Sequence, residues 1–253
     1  VCYTISILEK EVKQMVNDFV FGALVGSQNY GLANEKSDSD YKLFVLPTFD
    51  DLYQRKELST QRIGEKVDYT IHDIRKFVEL LWKANPAFIE VLFSKRFIIN
   101  KEYRDWVTSI LSRKNAFATM NLPVFYDASY GNYLQKRQGM VKGTSGTADL
   151  VEKFGYDTKC FLHAYRSLET PLFLMENGFN FNEVYHYADG TRKVIALDMR
   201  KGEFSLEQAY EVLDLMESRM PKVKECLKNQ NTYPFTKQWL DNSVYELVKG
   251  NLK

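Results

Sequence analysis

Two apolar runs, FVFGALV and KLFVLP, enclose the segment Gly26–Tyr41, GSQNYGLANEKSDSDY. Both runs have the length and composition of buried strands, so the segment between them has to join two strands. Its two ends carry chemistry. Gly26 and Ser27 open it, and ten residues later come Asp38 and Asp40, separated by one residue. A glycine leaving a strand has no Cβ to block close approach, and the backbone N–H groups of such a turn can cradle a phosphate. Two carboxylates at i and i+2 on extended backbone point to the same face. There they can share hard divalent cations, which take oxygen ligands and bridge phosphate oxygens. Alone, SDSD reads equally well as a solvated turn, and GSQNYG as an ordinary strand-to-helix turn. Their joint spacing between two strands is what points to a phosphate seat beside a metal seat.

An apolar strand, Gly-Ser, a short spacer and Asp-x-Asp resemble the core motif of the DNA polymerase beta superfamily of nucleotidyltransferases. The likeness is closer to the bacterial and phage branch of RNA-repair-pathway nucleotidyltransferases of the polymerase beta type. Tyr30-Gly31 follows the Gly-Ser pair as in that branch, Asp68 in EKVDYTIHD stands for the third carboxylate, Asn85-Pro86 follows a helix, and YDTKCFLHAYR runs from Tyr156 to Arg166. The likeness spans about Val20 to Phe204. Cys160 occupies a place where such proteins often carry histidine, and Tyr30 one where minimal nucleotidyltransferases often carry arginine.

The resemblance implies an α+β fold: a polymerase-beta-like core with a mixed sheet, then a mainly helical C-terminal lobe closing the cleft. The expected division is 1–98 and 99–253. It also implies transfer of a nucleoside monophosphate from an NTP to an acceptor hydroxyl on an RNA end, a protein or a small molecule, with pyrophosphate released. Asp38, Asp40 and Asp68 would be the catalytic residues and the ligands of Mg2+ or Mn2+, with Asp68 the proton acceptor. Gly26, Ser27 and Tyr30 would bind the nucleotide. The rival reading is a nucleotide- or partner-binding module on the same fold, an antitoxin or regulator without turnover.

Lys159, His163 and Arg166 fall at i, i+4 and i+7, forming one stripe of a helix whose other side, Phe161, Ala164, Leu168 and Leu172, reads as core. The stripe is either a solvated basic face or, as the resemblance implies, a further part of the nucleotide-binding set. Lys142–Thr147, KGTSGT, is the Gly/Ser/Thr-rich break and the candidate mobile loop. Lys136, Arg137 and Lys142 beside it are candidates for guiding a polyanionic acceptor.

Composition narrows the setting. The 34 basic and 33 acidic residues of the 253-residue chain nearly cancel, so no global field favours nucleic acid. Three well-separated cysteines make neither a disulfide framework nor a zinc pattern, which points to a reducing cytoplasm. No apolar run reaches the roughly 20 residues of a membrane span, and VCYTISILEK lacks the features of a signal peptide. Among local elements, Leu8, Val12, Met15, Val16 and Phe19 predict an opening amphipathic helix. Asp73, Asn85-Pro86 and Ser205 with Gln208 predict helix starts. EVYHYADGTRKVIAL predicts a hairpin turning at Asp189-Gly190, with His186, like His72, on a strand.

Overall fold

The computed structural model describes Val12 and residues 19–35, 37–64, 66–144, 146–187 and 190–252. The first half runs β1 (Phe19–Val25), α1 (Gly26–Tyr30), β2 (Ser39–Val45), α2 (Phe49–Tyr53), β3 (Ser59–Arg62), β4 (Val67–Asp73), α3 (Ile74–Trp82), α4 (Pro86–Leu92) and β5 (Phe97–Ile99). The strands form one sheet in the order β3-β4-β2-β1-β5. β2 and β4 pair in parallel, and the other neighbours are antiparallel. The mixed sheet is therefore as expected.

Every residue of β1 is buried, which explains why its sequence is continuously apolar rather than alternating. One sheet face carries Phe19, Leu24, Tyr41, Leu43, Val45, Tyr69, Ile71 and Ile98, with the helical residue Val12 packed among them. Of the expected opening helix, Leu8, Met15 and Val16 lie outside the described residues, and Phe19 begins β1. The opposite face is aromatic. The Phe44 ring lies 4.8 Å from Phe21, 5.0 Å from Phe77 of α3 and 6.0 Å from Phe88 of α4. Each such ring taken out of water stabilises the fold by about 2–3 kcal/mol, so α3 and α4 are fixed against this face.

The caps sit where the sequence places them. The Asp73 carboxylate accepts the Arg75 N–H at 2.9 Å to start α3, and Asn85 accepts the Ala87 N–H at 3.0 Å to start α4, with Pro86 at its first position. Ser205 and Gln208 form the expected capping box.

The second half is helical: α5 (Arg104–Ser112), α6 (Lys114–Thr119), α7 (Leu122–Lys142), α8 (Ala148–Phe154), α9 (Thr158–Glu176), α10 (Gly190–Lys201), α11 (Leu206–Glu217), α12 (Met220–Lys228) and α13 (Pro234–Asn251). This is the α+β class with a helical C-terminal part. The chain divides into two compact units, Val1–Met120 with Tyr233–Lys253, and Asn121–Thr232. The expected boundary at 98/99 thus falls inside the first unit, and the C-terminal helix returns to it. The Trp106 indole donates to Ser243 Oγ at 2.9 Å, Tyr103 OH donates to Asn251 Oδ1 at 3.1 Å, and the Arg113 guanidinium lies 4.5 Å from the centroid of the Trp239 ring. Such long-range contacts leave no signature in local spacing.

In the second unit α9 starts on Asp157, whose carboxylate accepts the Cys160 N–H at 2.9 Å. Tyr156 is buried, and its hydroxyl donates to the Phe204 carbonyl at 2.9 Å. Both residues therefore fix the entry of α9. The expected hairpin is absent: Gly190–Lys201 is α10, which buries Ala196 and Met199, and His186 lies outside regular structure. Good helix formers after Gly190, with apolar residues three apart, outweigh the Asp-Gly turn signal. Ala188 and Asp189 themselves lie outside the described residues.

Candidate active site

The strand register brings the Asp-x-Asp segment and Asp68 together. Asp40 and Asp68 are direct partners in the parallel β2–β4 ladder, and Val25, the last residue of β1, is opposite Asp40. Partners in a ladder present their side chains to the same face. Lys42 with Thr70, and Phe44 with His72, continue that face inward, so the aspartates form the polar end of an aromatic-packed surface. Asp38 precedes β2 and is exposed, whereas Asp40 and Asp68 are half-buried. Asp68 Oδ1 accepts the Gly64 N–H at 3.2 Å. The oxygen-only donor set suits a hard divalent cation. Among the described residues, no group of three or more His, Cys, Asp or Glu side chains is arranged to hold a metal ion.

The turn after β1 folds into α1, with Gly26, Ser27 and Gln28 half-buried and Asn29 and Tyr30 buried. Gly26 has φ 71°, and a Cβ on it would lie 2.6 Å from Asp40 Oδ2. Glycine is therefore required twice, by the left-handed backbone and by the carboxylate against it. Its N–H does not point to open space, as a phosphate seat at that atom would need. It donates to Glu90 Oε1 at 2.8 Å.

Glu90 was not legible as a site residue. It sits in α4, in the run PAFIEVL, and is 6% exposed. The same oxygen that accepts Gly26 also accepts Asn29 Nδ2 at 3.1 Å, and Oε2 accepts the Tyr30 hydroxyl at 3.5 Å. Burial pushes the Glu90 carboxyl up to about 7, against the opposing pull of the Asn29 and Gly26 hydrogen bonds and of Lys42. Lys42 is itself lowered by burial, with Glu90 and Asp40 favouring its charge, and its ammonium lies 5.8 Å from the centroid of the Phe88 ring. The signal in the sequence was a lone acid inside an apolar helical heptad, which needs a partner if it is buried.

The helical stripe lies in the second unit and is not uniform. Lys159 is exposed, and His163 and Arg166 are half-buried. Burial, with Lys136, Lys159 and Arg200 nearby, lowers His163 to about 4, so it is neutral at pH 7. Arg166 is lowered by burial, with Tyr187 and Glu169 as its charge and hydrogen-bond neighbours. Glu169 is buried, accepts Arg192 Nε at 2.9 Å and also accepts the Tyr187 hydroxyl. Arg137, a candidate for guiding an acceptor, is engaged with Asp214 at 2.6 Å and with the Tyr133 hydroxyl at 2.7 Å. In KGTSGT, the Thr144 N–H donates to Thr147 Oγ1 at 2.9 Å.

Residues 5–190 match the RNA repair pathway DNA polymerase beta family. The chain belongs to this family. Membership makes it a polymerase-beta-type nucleotidyltransferase. Among solved structures it is similar to a nucleotidyltransferase-like protein from Exiguobacterium sibiricum 255-15, with 12% identity and a TM-score of 0.33 over 97% of this chain and 81% of that one. No curated protein matches it significantly. Among the described residues no helix is long and apolar enough to cross a membrane.

Proposed function

We propose that this family member moves a nucleoside monophosphate from an NTP to an acceptor hydroxyl and releases pyrophosphate. The observation that supports this best is the Asp40–Asp68 pairing with the Gly26 backbone against Asp40. Asp38, Asp40 and Asp68 are the residues that would hold Mg2+ or Mn2+. Bound there, the cations would neutralise charge growing on the α-phosphate and on the leaving pyrophosphate.

The remaining steps fall to the chain's own groups. Ser27, half-buried in the first turn of α1, offers its hydroxyl and backbone to phosphate oxygens, while Gly26 supplies the close approach rather than a free N–H. With Asp68 Oδ1 accepting from Gly64, Oδ2 is the atom that would take the proton of the acceptor hydroxyl. Tyr30 acts from beneath the turn, since it is buried. In the second unit we assign Lys159 to a phosphate as a point charge. His163, neutral at pH 7, would add a hydrogen bond, and Arg166 would hold the stripe in place.

The RNA repair description of the family supports an RNA end as acceptor, and ATP is the first donor to try. Cys160 and Cys226 are free thiols, which fits a reducing cytoplasm. The test is incubation with each NTP, Mg2+ and an RNA oligonucleotide, reading pyrophosphate and a mass gain of one nucleotide on the RNA, on the protein or on an added small acceptor. Expected is metal-dependent product that Asp40→Asn abolishes. Tight nucleotide binding with no pyrophosphate from any NTP would instead favour the binding-module reading.

A further inference from the structure

The buried carboxylate beneath the glycine–serine turn has no part in the chemistry just described, yet three groups of that turn converge on it. Glu90 Oε1 accepts both the Gly26 N–H at 2.8 Å and Asn29 Nδ2 at 3.1 Å, and Tyr30 OH reaches Oε2 at 3.5 Å. Asn29 is 0% exposed, and its other amide atom, Oδ1, accepts the Lys95 N–H at 2.9 Å, just beyond α4. One residue further back, Ser94 Oγ donates to the Leu24 carbonyl of β1 at 2.7 Å. Thus α4 and its exit clamp both the end of β1 and the turn that follows it. The clamped glycine is the residue whose missing Cβ admits Asp40.

A buried carboxylate is a poor way to gain stability, because a well-packed apolar side chain in its place is often as good or better. Lys42 and Asp40 of β2 act on it through charge, and its own hydrogen bonds tie it to the turn.

We infer that Glu90 is a positioning residue, holding the Gly26–Ser27 turn at the spacing from Asp40 that nucleotidyl transfer uses. This rests on the transferase reading above. It also separates Glu90 from a catalytic role. Positioning needs an acceptor oxygen at Oε1, which a glutamine also supplies, whereas metal ligation or proton transfer needs the carboxylate.

The test compares wild type, Glu90→Gln and Glu90→Ala by pyrophosphate release and by calorimetric binding of an ATP analogue with a non-hydrolysable α–β bridge. Glu90→Ala should lose on the order of a hundredfold in kcat, the cost of a turn displaced by about an ångström, with weaker analogue binding. Glu90→Gln should recover most of that loss. Glutamine as damaging as alanine, or alanine with unchanged kcat, overturns the inference. Should Glu90→Ala not fold, Asn29→Ala removes one tether while keeping the carboxylate, and an unaltered kcat there overturns it equally. Amide exchange at Gly26 reads the tether without activity: fast in Glu90→Ala, slow in wild type and Glu90→Gln. Equal exchange in all three overturns the tether in an active enzyme. A wild-type protein with slow Gly26 exchange that neither binds the analogue nor turns over sinks the transferase reading instead.

Discussion

The sheet-borne carboxylates and the helical cationic stripe were both read from spacing, yet they fared differently in three dimensions. Asp40 and Asp68 emerge as ladder partners, because period-2 alternation and backbone hydrogen bonds leave little freedom in where a strand residue points. Lys159, His163 and Arg166 share a helix side, but their environments diverge: one is exposed, one is a neutral half-buried imidazole, and one sits beside Tyr187 and Glu169. Helical spacing fixes which side chains share a face. What packs on that face is decided by other helices, and the face changes character within two turns.

The sharpest way to break this contrast is at the carboxylates. Asp40→Asn should cut turnover by on the order of a thousandfold or more, since it removes a ligand charge from the reacting centre. Its melting temperature should stay near that of wild type. Near-native turnover would remove Asp40 from the chemistry and leave the ladder pairing without a function. Asp38→Asn should behave the same way.

Gly26→Ala comes next. The added methyl meets Asp40 Oδ2 at 2.6 Å in a backbone at φ 71°, so a loss of about 1 kcal/mol in stability should accompany a drop of about a hundredfold in kcat. Chemical denaturation and steady-state kinetics on the same sample read both. A stability loss with unchanged kcat would show the turn to be mere architecture.

In the second unit the expected effects move from rate to stability. Arg166→Ala should destabilise by about 2 kcal/mol, because half-buried charged hydrogen bonds are lost beside a buried carboxylate. A rise in KM for the NTP without a change in denaturation midpoint would overturn the buried reading and make Arg166 a ligand contact.

His163 adds a pH signature. Its folded-state value, about 4, lies below the ordinary 6.5, so the folded state binds fewer protons than the unfolded chain between the two. Its contribution is full above about 6.5 and is lost as pH falls toward 4. His72, also lowered to about 4 by burial, acts with the same sign. His163→Gln should flatten the wild-type decline by on the order of 1 kcal/mol at pH 5. Parallel pH–stability curves for the two proteins would show that the imidazole is not buried in solution.

The smallest effect belongs to Lys159→Ala. An exposed lysine without an ion-pair partner among the described residues should change stability by no more than about 0.5 kcal/mol. KM for the NTP should rise a few-fold at low salt, and the difference should shrink at high salt. No salt-dependent change in KM would return the whole stripe to architecture.

Much of the first unit was legible in the sequence for a physical reason. Strand runs, turn glycine, paired aspartates and the caps at Asp73 and Asn85 are all set by interactions among near neighbours. Those interactions determined the strands, the strand ends that carry the carboxylates and the helix starts, while the family and its mixed sheet were implied by the resemblance of the motifs. Tertiary packing decided the rest. It returned α13 to the first unit through Trp106, Tyr103 and Arg113. It lowered the His163 imidazole below its ordinary range by half-burying it beside cations. It also brought Glu90 under Gly26, a pair separated by 64 positions. Local chemistry determines how a segment folds and which way its side chains point, but a buried charge takes its meaning from the distant groups that surround it, and only the folded chain supplies those.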